Sequence, residues 1–203
     1  MAGRALVLGG GGLSGIGWIC GILHGLAAAG ADLRNADTVI GTSAGSVVGA
    51  QLTSGRLTPA ELYERQLAAP VGEIPGHLSP AATLRHARAA LTSRTPEDFG
   101  RKVGHIALAA DTPDEATRRA VIAGRLVSHS WPERPFLVTA VRATTGEFRV
   151  LDRGSGVGLV DAVAASCAVP GVWPPVTFED SRWIDAASAP RPTRTSPKAT
   201  TAS

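Results

Sequence analysis

The chain is poor in the residues that build many kinds of site. Its 203 positions hold two cysteines, one methionine, one tyrosine and only 4% aromatic residues. Cys20 and Cys167 both lie in apolar surroundings. Two such cysteines make neither a disulfide framework nor a cysteine-based metal site, which leans toward a reducing compartment. Lysine is nearly absent: eighteen of the 20 basic residues are arginine. Long apolar runs are missing as well. Four apolar residues, Ala5 to Leu8, follow Arg4 before glycines begin, too few for a secretory core. The stretch from Gly15 to Ala31, about 17 residues, is broken by His24 and glycines, so it reads as a buried helix rather than a membrane span. The expected location is cytoplasmic, with at most peripheral contact at a membrane.

The formal charge of +3 invites a nucleic-acid reading, but its distribution removes that reading. Residues 1–185 hold 17 basic and 17 acidic side chains, so the body is neutral. The excess comes from Arg191, Arg194 and Lys198, in a stretch without acids. A neutral body predicts no nucleic-acid partner and no strong electrostatic docking to a membrane surface, only transient contact. With 44% hydrophobic residues, the rest has the composition of one globular domain.

Ala5–Leu8 suits a buried strand feeding a glycine turn, and residues 16–29 suit a helix closed by Gly30. Thr38–Ile40 is a second strand, followed at once by a helix over Ala44–Leu52. This alternation predicts a parallel α/β unit covered by helices. Further helix starts stand at Thr58-Pro59, Ser79-Pro80, Thr95-Pro96 and, more loosely, Asp111–Glu115. Between them a Pro/Gly-bearing loop, Pro70–His77, is placed to cover a site. Phe136–Val141 and Glu147–Leu151 around Thr144-Thr145-Gly146 predict a hairpin. A helix over Val160–Ser166 and a strand at Arg182–Ile184 complete the pattern. Residues 186–203 lack any large apolar side chain and are expected to form a disordered basic tail.

The sharpest chemical signal is Gly41-Thr42-Ser43-Ala44-Gly45, a G-x-S-x-G directly after a strand and before a helix. A serine on such a turn stands exposed at the end of the sheet, and the helix N-terminus favours developing negative charge. The second signal is the run Gly9-Gly10-Gly11-Gly12-Leu13-Ser14-Gly15, whose successive N–H groups suit an anion. A dinucleotide fingerprint would need an acid at the end of the second strand, where Gly41-Thr42 stands instead. A P-loop would need a lysine, and none precedes Lys102. An oxyanion hole needs only the glycines. For a base, His129 in Ser128-His129-Ser130-Trp131 is the one histidine kept as a triad candidate; His24 reads as a core residue. Asp185, ending the strand Arg182-Trp183-Ile184-Asp185, is the alternative. A carboxylate serves a hydroxyl only where its pocket desolvates it.

Gly10-Gly11-Gly12-Leu13-Ser14-Gly15, Gly41-Thr42-Ser43-Ala44-Gly45, Ala165-Ser166-Cys167-Ala168-Val169-Pro170 and Asp185 occur in the order seen in patatin-like phospholipases. The resemblance runs from residue 5 to residue 185. It implies a three-layer α/β/α fold with a mainly parallel central sheet, and a Ser–Asp dyad without histidine. By position, Ser43 is the implied nucleophile and Asp185 the implied base. Gly10, Gly11 and Gly12 are the implied oxyanion hole, with Gly41 and Gly45 flanking the nucleophile elbow. Ser166 and Pro170 match an element with no assigned chemical step. Neither metal nor cofactor is implied, and the partner is a lipid or other acyl ester; oligomeric state is not indicated.

The chain departs from the family after Asp185, where Asp-Gly-Gly or Asp-Gly-Ala is usual. It reads Asp185-Ala186-Ala187-Ser188-Ala189, and the fold is expected to be incomplete at its C-terminal end. The codons GAC GGC GGC GTC CGC for Asp-Gly-Gly-Val-Arg, with one G lost, read Asp-Ala-Ala-Ser-Ala. That reproduces residues 185–189 and suggests a frameshifted tail, which the nucleotide sequence would decide. The expected function is a serine lipid acyl hydrolase of phospholipase A or esterase type. The alternatives are a catalytically impaired remnant, whose alanines after Asp185 deny the turn its backbone geometry, and a nucleotide-binding module.

Overall fold

The computed structural model describes residues 3–68 and 76–188. Positions 70–75 of the expected covering loop, and the tail from 189 onward, lie outside the described residues.

Six strands and seven α-helices make up the described residues. Strands β1 (Ala5–Leu8) and β2 (Thr38–Gly41) flank helix α1 (Gly12–Ala28), and helix α2 (Ala44–Thr53) leaves β2 two residues later. Four helices follow: α3 (Pro59–Leu67), α4 (Pro80–Thr92), α5 (Pro96–Leu108) and α6 (Glu115–Arg125). The chain then returns to the sheet with β3 (Phe136–Arg142), β4 (Phe148–Leu151), helix α7 (Leu159–Ser166), β5 (Val176–Phe178) and β6 (Ser181–Asp185).

The helix starts read from sequence hold at the atomic level. Thr58 forms a full capping box with Glu61, and Ser79 and Thr95 accept the N–H groups of Ala82 and Asp98. At the looser start the cap is Asp114, which accepts from Thr117. Helix α1 begins four residues earlier than its apolar period indicates, inside the glycine run at Gly12. The hairpin of β5 and β6 is unexpected. Glu179 and Asp180 turn it with φ of 50° and 52°, and two such positions are ordinarily announced by Asn or Gly.

Strands β1, β2 and β3 are mutually parallel, whereas β4 and β6 run antiparallel to β3 and β5 antiparallel to β6. Four of the six strands therefore point one way. Side-chain alternation along β3 and β6 separates two cores. Val138, Ala140 and Trp183 join the larger one with α1, α2 and α7. Val141 and Ile184 face the smaller one with Ala89 of α4 and Val103 and Ile106 of α5. Helices thus cover both faces of the sheet, the three-layer α/β/α arrangement.

One register detail positions the site. Val138 pairs with Gly41 on one side and Leu151 on the other, and Ala140 pairs with Asp185 and Arg149. Strand β4 therefore occupies one edge of β3, while β2 and β6 share the opposite edge, meeting head to head. Gly41 and Asp185 lie two residues apart along β3, roughly 7 Å at strand spacing.

Candidate active site

Ser43 stands between β2 and α2 with φ 54° and ψ −119°, a conformation costly for a residue with a side chain. It is the N-cap of α2, yet its hydroxyl makes no capping hydrogen bond. The oxygen is therefore not spent on the helix. The turn exists because both flanking glycines lack Cβ. A methyl at Gly41 would lie 2.5 Å from the Gly45 carbonyl oxygen, and one at Gly45 only 2.2 Å from the Leu8 carbonyl oxygen.

The backbone of Ser43 is held at both ends by other side chains, two of them distant in sequence. Its N–H donates to Ser166 Oγ at 2.9 Å. Its carbonyl accepts from Ser46 Oγ at 2.7 Å and from Cys167 Sγ at 3.4 Å. Burial pushes the Cys167 thiol up to about 11, so it keeps the proton it donates. Thr42 beside the nucleophile position shares a 2.7 Å hydroxyl contact with Thr139 of β3.

Asp185 ends β6 and is 2% exposed. Its backbone N–H donates to the carbonyl of Ala168 at 3.0 Å, the residue after Cys167. Residues 166–168, where α7 ends, thus touch both Ser43 and Asp185. Desolvation raises the Asp185 carboxyl to about 6, against opposing pulls from the Ser43 side chain and the N–H of Ala187. That N–H donates to Oδ1 at 2.7 Å. Residues Ala186–Ser188 form a 3-10 turn, and neither Ala186 nor Ala187 has positive φ. The strain expected from alanines after the aspartate is therefore absent.

The glycine loop closes the third side. A side chain at Gly10 would stand 3.4 Å from Ser43 Cβ, 3.9 Å from Ser43 Oγ and 3.0 Å from the Ala187 methyl. Gly11 and Gly12 adopt φ of 152° and 60°. Among the described residues the N–H groups of Gly10 and Gly11 donate to no protein acceptor. Gly12 begins α1, so its N–H has no partner within the helix.

The rival readings fare differently. His129 is exposed and its Nε2 lies 3.0 Å from the Ala123 carbonyl oxygen, and His24 stacks on Tyr63. Among the described residues no hydrogen bond joins either ring to Ser43. Strand β2 ends in Gly41, without a carboxylate for a ribose; Asp37 precedes it and accepts the Arg4 N–H at 2.6 Å. Among the described residues no cluster of three or more His, Cys, Asp or Glu side chains is arranged to hold a metal ion.

The model of the patatin-like phospholipases matches residues 6–195. The chain belongs to that family. Among solved structures it is similar to the type III effector protein ExoU, at 17% identity and a TM-score of 0.46. That alignment covers 83% of this chain and 40% of the ExoU chain, so the present chain spans well under half of that structure's length. No curated protein matches it. Among the described residues no helix is long and apolar enough to cross a membrane.

The pattern G-x-S-x-G was legible residue by residue, whereas Asp185 stood out only through the resemblance. Ser46, Cys167 and Ala168 were not. The Ser43–Ser166 bond spans 123 positions, and no local pattern encodes a contact of that range.

Proposed function

We propose that this member of the patatin-like phospholipases is a serine acyl hydrolase of lipid esters working through Ser43 and Asp185. The observation that carries the reading is the pairing of an uncapped, positive-φ serine with a buried carboxyl whose pKa the serine side chain pulls down against its burial. Ser43 Oγ attacks the ester carbonyl carbon while its proton passes to Asp185. The carbonyl oxygen takes up the electron pair and is stabilised by N–H groups of Gly10, Gly11 and Gly12. Collapse of this intermediate expels the alcohol, which recovers the proton from Asp185 and leaves an acyl-serine. Water then attacks the acyl carbon, again giving a proton to Asp185, and the fatty acid departs as Ser43 is restored. The chemistry requires neither metal nor cofactor.

An impaired remnant is the second reading, and one observation favours it: the Ala187 methyl stands 3.0 Å from where a Gly10 Cβ would lie, beside the glycine loop. Labelling with a fluorophosphonate probe separates the two, because only an activated serine reacts. Wild-type chain is expected to label and to hydrolyse a chromogenic short-chain ester, and Ser43→Ala to do neither. Activity that survives in Ser43→Ala overturns the assignment; absence of labelling in the wild type favours the remnant.

A further inference from the structure

We propose that the outer face of α4 is a docking surface for an anionic lipid bilayer. The inference rests on the lipid-ester reading of the Ser43 site, since such a site must reach lipid; its geometry is separate from that site.

Helix α4 has two unlike sides. The inner side carries Ala82 and Ala89, both buried. A Cβ at Gly171 would meet Ala82 and Leu78 at 3.4 and 3.6 Å, and Ala89 shares an apolar cluster with Ile184 and Ala186. The helix therefore packs against the residues that flank Asp185. The outer side carries Leu84 and Leu91, two turns apart, at 71% and 87% exposure, with Arg88 between them and Arg85 at the margin. Leu84 and Leu91 thus leave their apolar side chains open to solvent one above the other on the same face.

Charge selects the occupant. Residues 76–96 contain Arg85, Arg88 and Arg94 and no acid, although the body as a whole is neutral. Among the described residues Arg85 and Arg88 form no ion pair. Two acids open α5, Asp98 and the exposed Glu97, and Asp98 is already held by Arg101 and Lys102. A helix with leucines inserted between acyl chains and arginines at headgroup level fits an anionic interface. A second copy is a poorer occupant, because a two-fold contact would set these arginines against their own counterparts. Docking through α4 leaves the Asp185 region about one helix diameter, roughly 10–12 Å, from the lipid.

The test is co-sedimentation of the full chain with vesicles of phosphatidylcholine alone, or of phosphatidylcholine with 30% phosphatidylglycerol. Wild type is expected to partition to the anionic vesicles, and less so in 0.5 M salt. Arg85→Ala with Arg88→Ala should lower that partition about thirty-fold, near five-fold per arginine. Leu84→Ser with Leu91→Ser should lower it while leaving the circular dichroism spectrum and short-chain ester hydrolysis unchanged. The basic tail is common to all variants, so these differences report α4. Equal partition of wild type and both double variants overturns the proposal, as does a dimer that Leu84→Ser with Leu91→Ser dissociates without any vesicle effect. Loss of fluorophosphonate labelling with intact vesicle binding would sink the hydrolase reading and not this one.

Discussion

The hydroxyl of Ser166 accepts the backbone N–H of Ser43, joining the end of α7 to the turn that carries the proposed nucleophile. Two residues later the carbonyl of Ala168 accepts the N–H of Asp185. One short corner thus sets the spacing of both proposed dyad members, a part for an element to which the sequence attached no chemical step. Replacing Ser166 by Ala leaves a buried N–H without an acceptor, a cost of about 1–3 kcal/mol. Freed from that bond, Ser43 relaxes from its strained torsions. Ser166→Ala is expected to lose at least about ten-fold in kcat with KM little changed, the pattern of an interaction realised in the transition state. Steady-state kinetics on a soluble ester measure this; an effect on KM alone would argue against a positioning role.

Asp185 makes stability depend on pH in the direction opposite to an ion-paired carboxylate. Its folded value of about 6 lies above the ordinary 3.8. Below pH 3.8 the group is protonated in both states and contributes no penalty. As pH rises from about 4 to 6 the unfolded chain ionises first, so stability falls; above 6 the loss is complete, on the order of 3 kcal/mol. Asp185→Asn is therefore expected to raise the denaturation midpoint at pH 7.5, with the gain vanishing near pH 3.5, while ester hydrolysis is lost. Urea titrations at the two pH values provide the comparison. A variant less stable than wild type at pH 7.5 would contradict the assigned burial cost.

The same carboxyl predicts the pH–rate profile. A base must be ionised to accept the Ser43 proton, so kcat/KM should climb through about pH 6 and then level. A profile that is flat from pH 5 to 7 would count against Asp185 as the base.

Glycines in this chain divide by what surrounds them. Gly45→Ala drives a methyl to 2.2 Å from the Leu8 carbonyl and should yield no soluble folded protein. Gly25 lies exposed within α1 with nothing within 4 Å of an added Cβ. Gly25→Ala is expected to stabilise by about 0.5–1 kcal/mol through reduced backbone freedom in the unfolded chain. Thermal melts of the two variants check both directions.

Local patterns carried a large part of the molecule. The Thr58, Ser79 and Thr95 caps, the strand–turn–helix around Ser43 and the hairpin of β3 and β4 depend on neighbours within a few positions, so their residues announce them. The β5–β6 hairpin escaped because Glu179-Asp180 is an unusual pair for its turn. The early start of α1 escaped because glycines carry no apolar period.

By itself the sequence determined the identity of the candidate groups, Ser43, Asp185 and the Gly10–Gly12 loop, and the α/β class that would carry them. Their meeting was decided only by tertiary structure. Gly41 and Asp185 come together because β2 and β6 approach one edge of β3 from opposite ends, a register set by long-range pairing and burial. The raised Asp185 carboxyl has the same origin: desolvation belongs to the packed core around the residue, not to the residue. The basic face of α4 is a third case. A count over the chain returns a neutral body, and only the helix, turning one side inward, gathers Leu84, Arg88 and Leu91 on the other with Arg85 at the margin.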